Sequence, residues 1–153
     1  MTQDAIRLQK EIAKKVVTRD DFDSIHRVCG VDVAYEGDIA YCSAVVMEEK
    51  EDGKQGAGGA PVVINSADLQ TKVKFPYVPG LLMLREAEPI IHTLAMLRES
   101  YDLLLVDGQG RLHPRKCGIA CYLGVTLDKP TIGIGKSRLC GTIRPDCFVE
   151  MGG

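Results

Sequence analysis

The sequence predicts an α/β fold: a mixed sheet flanked by helices. Two observations carry this. Apolar residues recur with a helical period in separate segments, and short Val-, Ile- and Leu-rich runs bounded by turn residues lie between them. The resulting order is helix, three strands of a meander, helix, strand, helix, strand, which is the order of a sheet with helices packed against it. At 153 residues the chain suits a single domain spanning 1–153, long enough to bury a core. Its 45% hydrophobic and 26% charged residues exclude a disordered, collagen-like or coiled-coil chain.

The first helix is expected over residues 3–17. Ala5, Leu8, Ile12 and Val16 form one apolar stripe, and Arg7, Lys10, Lys14 and Lys15 face elsewhere. Asp20, Asp21 and Asp23 end it. Residues 25–35 read as a Val-rich strand, Glu36, Gly37 and Asp38 as a turn, and residues 39–47 as its hairpin partner. Residues 48–59, charged and glycine-rich, read as a mobile hairpin loop. Residues 61–73 form a third strand, with polar Asn65, Ser66 and Asp68 set against it. Residues 75–80 are barred from helix by Pro76 and Pro79, which also push their predecessors to extended geometry. Met83, Ala87, Ile90, Leu94 and Leu97 then mark a helix that Pro89 either starts or kinks. Residues 102–107 and 131–135 read as buried strands, with a helix over 115–127 between them.

The net charge of −2 hides an uneven distribution. Residues 1–110 carry 12 basic and 18 acidic residues, whereas residues 111–144 carry seven basic residues against Asp128 alone. Such a block is the footprint of a phosphate-binding face, and equally of a solvated basic surface. No apolar run approaches the roughly 20 residues of a membrane span, and the N-terminus lacks the apolar core of a secretory signal. The six cysteines form no Cys-x-x-Cys pair, so a reduced, cytoplasmic protein with no membrane partner is expected. Cys117 and Cys121 have helical spacing, but no second ligand pair of zinc-like spacing accompanies them.

Three acids are candidates for chemistry. Asp32 sits within a Val-rich strand, on the face of Val28, Gly30 and Ala34, where a carboxylate needs a partner or a metal. Asp107 closes the apolar run 103–106 ahead of Gly108, Gln109 and Gly110, and strand ends are where ligands bind α/β sheets. Glu86 lies beside the stripe of the second helix. Converging, these acids would repel unless a hard cation sat among them; Mg2+ prefers such oxygen donors and activates water against a phosphodiester. Taken singly, each also suits a cap or a turn. His113, Arg115 and Lys116, and Lys136 and Arg138, follow predicted strand ends and would meet phosphate oxygens or transition-state charge. Tyr77, between two prolines, is either a wedge for a base stack or a core anchor for its loop. Gly108, Gln109 and Gly110 lack the rest of a dinucleotide fingerprint.

Together these segments resemble endonuclease V, the family that nicks DNA at deoxyinosine. The matching stretches are residues 30–35, 76–82 with Arg85 and Glu86, 103–108, Gly110, 113–115 with Gly118, 123–125 and 130–139, in order and register. The resemblance implies a ribonuclease H-like fold. It implies an endonuclease that depends on Mg2+, with Mn2+ as a substitute, and cuts one phosphodiester beyond the one adjoining the lesion on its 3′ side. Asp32 and Asp107 would hold the metal, Glu86 would complete the acidic site, Lys136 would face the scissile phosphate and His113 would lie near it. Pro76, Tyr77, Val78 and Pro79 would form the strand-separating wedge. A backbone-lined pocket at Gly80, Leu82, Gly108 and Gly118 would take the flipped hypoxanthine and exclude guanine's amine.

The expected partner is DNA carrying deoxyinosine or another deaminated base, with inosine RNA as the alternative substrate, bound by a monomer. Gln109 departs from the His or Asn of many members. The usual C-terminal hairpin and helix, with their Ser-Pro-Gly-His-like motif, have no match here, so a lesion-binding core with little cleavage is the alternative activity.

Overall fold

The computed structural model describes residues 2–50 and 60–141. Eight elements appear in the expected order: α1 (Thr2–Lys15), β1 (Arg27–Glu36), β2 (Ile39–Glu48), β3 (Val62–Lys72), α2 (Leu82–Ala95), β4 (Leu103–Asp107), α3 (Ile119–Leu127) and β5 (Thr131–Ile134). They form one five-stranded sheet of order β3-β2-β1-β4-β5. β1, β2 and β3 are antiparallel neighbours; β4 lies parallel to β1, and β5 parallel to β4. The meander connections allow the first arrangement, and the crossovers through α2 and α3 the second.

Strand alternation sets the layers. Cys29 and Val31, Cys42, Ala44 and Val46, and Leu104 and Val106 face the main core, completed by Ala5 of α1, Met83, Ala87, Ile90 and Leu94 of α2, and Ile119, Ala120 and Leu123 of α3. The alternating residues point away from that core, and Tyr41, Val63, Ile132 and Ile134 are exposed. Among the described residues β5 is therefore a half-exposed edge, not the buried strand its apolar run suggested. A four-residue apolar run does not reveal how many of its faces are covered.

Other expectations need correcting. In α1 the buried residues are Ala5, Gln9 and Ile12, whereas Leu8 is exposed. The stripe turns by one position because the Gln9 amide has buried partners. α3 starts at Ile119, four residues later than expected: Lys116 has φ 55° and Gly118 is extended, so neither continues a helix. Cys117 accordingly lies before the helix. It packs with Cys121 and Ile12, and burial pushes its thiol up to about 12, which leaves it a buried hydrophobe rather than a thiolate ligand. α2 is one helix with Pro89 inside it. β3 keeps its polar stretch because it is an edge strand. Asn65 Oδ1 there accepts from the backbone N–H of Arg98 at 2.8 Å, just past α2. Most of the glycine-rich loop 48–59, Arg144 and the acidic tail lie outside the described residues.

Candidate active site

Parallel register brings the two strand acids together. Val31 of β1 pairs with Val106 of β4, so the next residues, Asp32 and Asp107, stand alongside each other on the face turned away from the core. Asp32 is exposed, contrary to the expectation of a carboxylate in need of rescue from burial; its Oδ1 accepts the Val33 N–H at 2.8 Å. Asp107 is half-buried and pairs through Oδ2 with Lys136 Nζ at 2.6 Å. The β4–β5 register aligns Asp107 with Ile134, which delivers Lys136 just past the strand. The Lys136 side chain is 83% exposed, and its bond to Asp107, then the Asp107, Asp32 and Glu86 charges, hold its ammonium above the ordinary lysine range.

Glu86 reaches the same region from α2. It is buried and accepts from the Tyr35 hydroxyl at 3.0 Å. Burial raises its pKa to about 7; Tyr35 opposes the shift, and the Asp107 and Asp32 charges add to it. Arg85 lies over the Tyr35 ring at 4.1 Å and donates to the Phe75 carbonyl at 3.3 Å. Among the described residues no three His, Cys, Asp or Glu side chains form a ready-made metal cluster. The donor chemistry nonetheless suits a hard divalent cation: paired carboxylates on one face, one already engaging an ammonium, beside a buried acid whose neighbours' charges favour its protonation.

The proline loop precedes α2. Tyr77 is 64% exposed, Pro76 and Pro79 are exposed, and Val78 packs against the core, so the loop is anchored by Val78 and not by its tyrosine. Gly80 has φ 76°, a conformation suited to glycine, and a Cβ there would lie 2.9 Å from Arg115 Nη2. Leu82 begins α2 and also packs on the core. Gly108 closes β4 and donates to the Ile134 carbonyl at 3.0 Å. Gly118 leaves no room for a side chain, since a Cβ would overlap the Gln109 carbonyl. Gln109 Nε2 donates to the Ser137 carbonyl at 2.6 Å, tying the Lys136 segment to the end of β4.

His113 and Arg115 do not face the acids. His113 is buried; its Nδ1 accepts the Arg115 N–H at 3.2 Å, so Nε2 carries the proton and donates to the Gly80 carbonyl at 3.1 Å. Burial lowers its pKa, and the ring is neutral in this role. His113 thus touches the loop backbone rather than an open phosphate site. Arg111, Lys116, Lys129, Lys136 and Arg138 are the exposed cations of the basic block among the described residues.

Sequence reasoning missed several members. Tyr35 and Arg85 orient Glu86 and the loop. Ser43 pairs with Asp32 across β1 and β2 and donates to Asp68 Oδ1 at 2.5 Å, continuing a polar row across the open face. Strand alternation with a register would have found that row. Nothing in the α1 stripe marked Gln9.

A family model described as Endonuclease V matches residues 10–150. An endonuclease V of Thermofilum pendens is 45% identical over 140 residues, which is 91% of this chain and 56% of that protein. The crystal structure of Streptomyces avermitilis endonuclease V aligns with TM-score 0.78 and 34% identity, covering 90% of this chain and 58% of that one. Ciona intestinalis endonuclease V, in complex with a 24mer DNA containing an inosine followed by a ribo-adenosine, aligns with TM-score 0.74 and 28% identity, covering 89% and 58%. These structures share the mixed sheet and flanking helices of a ribonuclease H-like α/β fold. The chain spans under two thirds of the length of these relatives.

Proposed function

The chain belongs to the endonuclease V family, and from that premise we propose that it is a Mg2+-dependent nuclease that recognises deoxyinosine in DNA and hydrolyses the second phosphodiester on its 3′ side. The observation that carries the reading is the placement of Asp32 and Asp107 side by side at adjacent strand ends, with Lys136 on Asp107 and Glu86 close behind. Asp32 and Asp107, with Glu86, would hold a divalent cation, which when bound supplies an activated water and neutralises phosphoryl charge.

The chain's own residues do the rest. With a cation on the carboxylates, the exposed Lys136 ammonium turns to a phosphate oxygen and offsets charge that develops there. Glu86, with a pKa near neutrality, gives up its proton readily once positive charge stands near it. Tyr77 enters the base stack beside the lesion from a loop stiffened by two prolines. Gly80, Leu82, Gly108 and Gly118 would offer the extruded base a wall largely of backbone, shaped to exclude guanine's extra amine.

A substrate panel tests this reading. Strands carrying one deoxyinosine, one inosine in RNA or guanine at the same site are incubated with Mg2+. Nicking of the deoxyinosine strand above the others is expected; preference for the RNA strand, or no preference, overturns it. The second reading is a lesion-binding core that cuts poorly. It predicts inosine-selective binding with no product.

A further inference from the structure

Gln9 is 1% exposed, on a helix whose other buried residues are Ala5 and Ile12. A leucine or methionine would fill its space. What the amide adds is a set of bonds between three parts of the chain. Its Nε2 donates to the Gly80 carbonyl and to the Cys117 carbonyl, both at 3.0 Å. Its Oε1 accepts from Arg115 Nε at 2.5 Å. Arg115 in turn donates through Nη2 to the same Gly80 carbonyl at 2.6 Å, and His113 Nε2 approaches it at 3.1 Å. One carbonyl thus gathers three donors, although two lone pairs suffice for any acceptor. That carbonyl belongs to the left-handed glycine that turns the proline loop into α2. Leu81 N–H donates to the Val78 carbonyl at 2.9 Å, so fixing Gly80 fixes the loop on both sides of it.

We propose that Gln9 is a positioning residue for base recognition: through its own amide and through Arg115 it holds the Gly80 carbonyl, and with it the 76–80 loop, where the loop meets the extruded base. This rests on the proposed deoxyinosine reading. The family match begins at residue 10, so Gln9 lies just outside it. The network is part-buried around the fully buried Gln9, where an unsatisfied member is costly, and among the described residues no buried side-chain nitrogen or oxygen lacks a partner. Lys136, Asp32 and Asp107 take no part in it, so the acidic site stays intact when the network is broken.

The test uses the full chain and two variants. Gln9→Met keeps the volume and removes every bond; Gln9→Glu keeps the acceptor for Arg115 and loses both donors. Binding to matched duplexes carrying deoxyinosine or guanine is measured with Ca2+ in place of Mg2+, alongside hydrogen exchange of the Leu81 and Leu84 amides and the melting temperature. In Gln9→Met the inosine-to-guanine affinity ratio is expected to fall at least about fivefold, the scale of a lost buried hydrogen bond. The two amides should exchange at least about tenfold faster while the β1 and β4 amides keep their protection. Gln9→Glu should lie between wild type and Gln9→Met. A purely structural role would lower the melting temperature and weaken both duplexes equally; that result, or unchanged exchange at Leu81 and Leu84, overturns the proposal. If Gln9→Met does not fold, Arg115→Lys, which keeps the charge and removes the Nη2 contact, takes its place with the same criteria. A wild-type chain that does not favour inosine overturns the functional reading instead, and the exchange measurement still decides whether Gln9 holds the loop.

Discussion

At the scale of single residues, environment decides what each acid does. Asp32 and Asp107 point outward and Glu86 inward, so only Glu86 pays for burial. Its folded pKa of about 7 lies above the ordinary value near 4.5, so the native state binds this proton more tightly than the unfolded chain. The sign follows: its contribution to stability is intact below the unfolded value and is lost as pH rises through about 7, by roughly 3 kcal/mol. In chelator, the melting temperature of wild type should fall between about pH 5 and about pH 8 relative to Glu86→Gln, and a parallel course of the two would refute the assignment. Tyr77→Ala should leave the melting temperature unchanged and reduce discrimination of inosine from guanine about tenfold in a competition assay, since the ring is exposed and base stacking contributes on this scale. Asp32, Asp107 and Glu86 were legible because charged residues interrupt or border apolar periods. Tyr35, Gln9 and Ser43 were not, because their partners lie far away in sequence.

At the scale of elements, the strand ends carry the candidate site and the turns after them set its geometry. The segment between β4 and α3 folds back so closely that Gly118 N–H reaches the Gly110 carbonyl at 2.9 Å and Gly118 touches the Gln109 backbone. Gly118→Ala must push that turn apart, because the obstacle is main chain rather than a movable side chain. Destabilisation of about 2 kcal/mol or more is expected by denaturant titration; a change within experimental error would show that the turn is slack. The strands, the Pro76–Pro79 break and α2 could be read from period and proline chemistry. The late start of α3 could not, because nothing in the preferences of a lysine marks the left-handed φ of 55° at Lys116. The same limit applies to β5, whose apolar alternation looks alike at an edge and in an interior.

At the scale of the whole molecule, a net charge of −2 coexists with a basic segment 111–144. Part of that charge has partners within the chain: Arg115 on Gly80 and Gln9 in the interior, and at the surface Lys129 on the Tyr101 carbonyl at 3.1 Å and Lys136 on Asp107. Among the described residues, the exposed Arg111, Lys116 and Arg138 make no such contact and, with the exposed Lys136 at the acidic site, are the cations placed to meet phosphates. Affinity for duplex DNA should therefore fall with salt with a log–log slope of about −3 to −4, about one per contacting cation; a flat profile would mean that this face does not bind the backbone. The sheet order joins these parts: β1 and β4 are central and parallel, so their acids share one end of the sheet, and β5 brings Lys136 beside them. The most direct measurement is the nicking of an end-labelled duplex with one deoxyinosine, in Mg2+ and in chelator, by wild type and Asp107→Ala. A single Mg2+-dependent cut at the second phosphodiester on the 3′ side, lowered at least about a thousandfold in the variant, is the predicted result. Equal nicking by wild type and Asp107→Ala, or nicking that persists in chelator, would contradict a site built on the paired strand-end carboxylates.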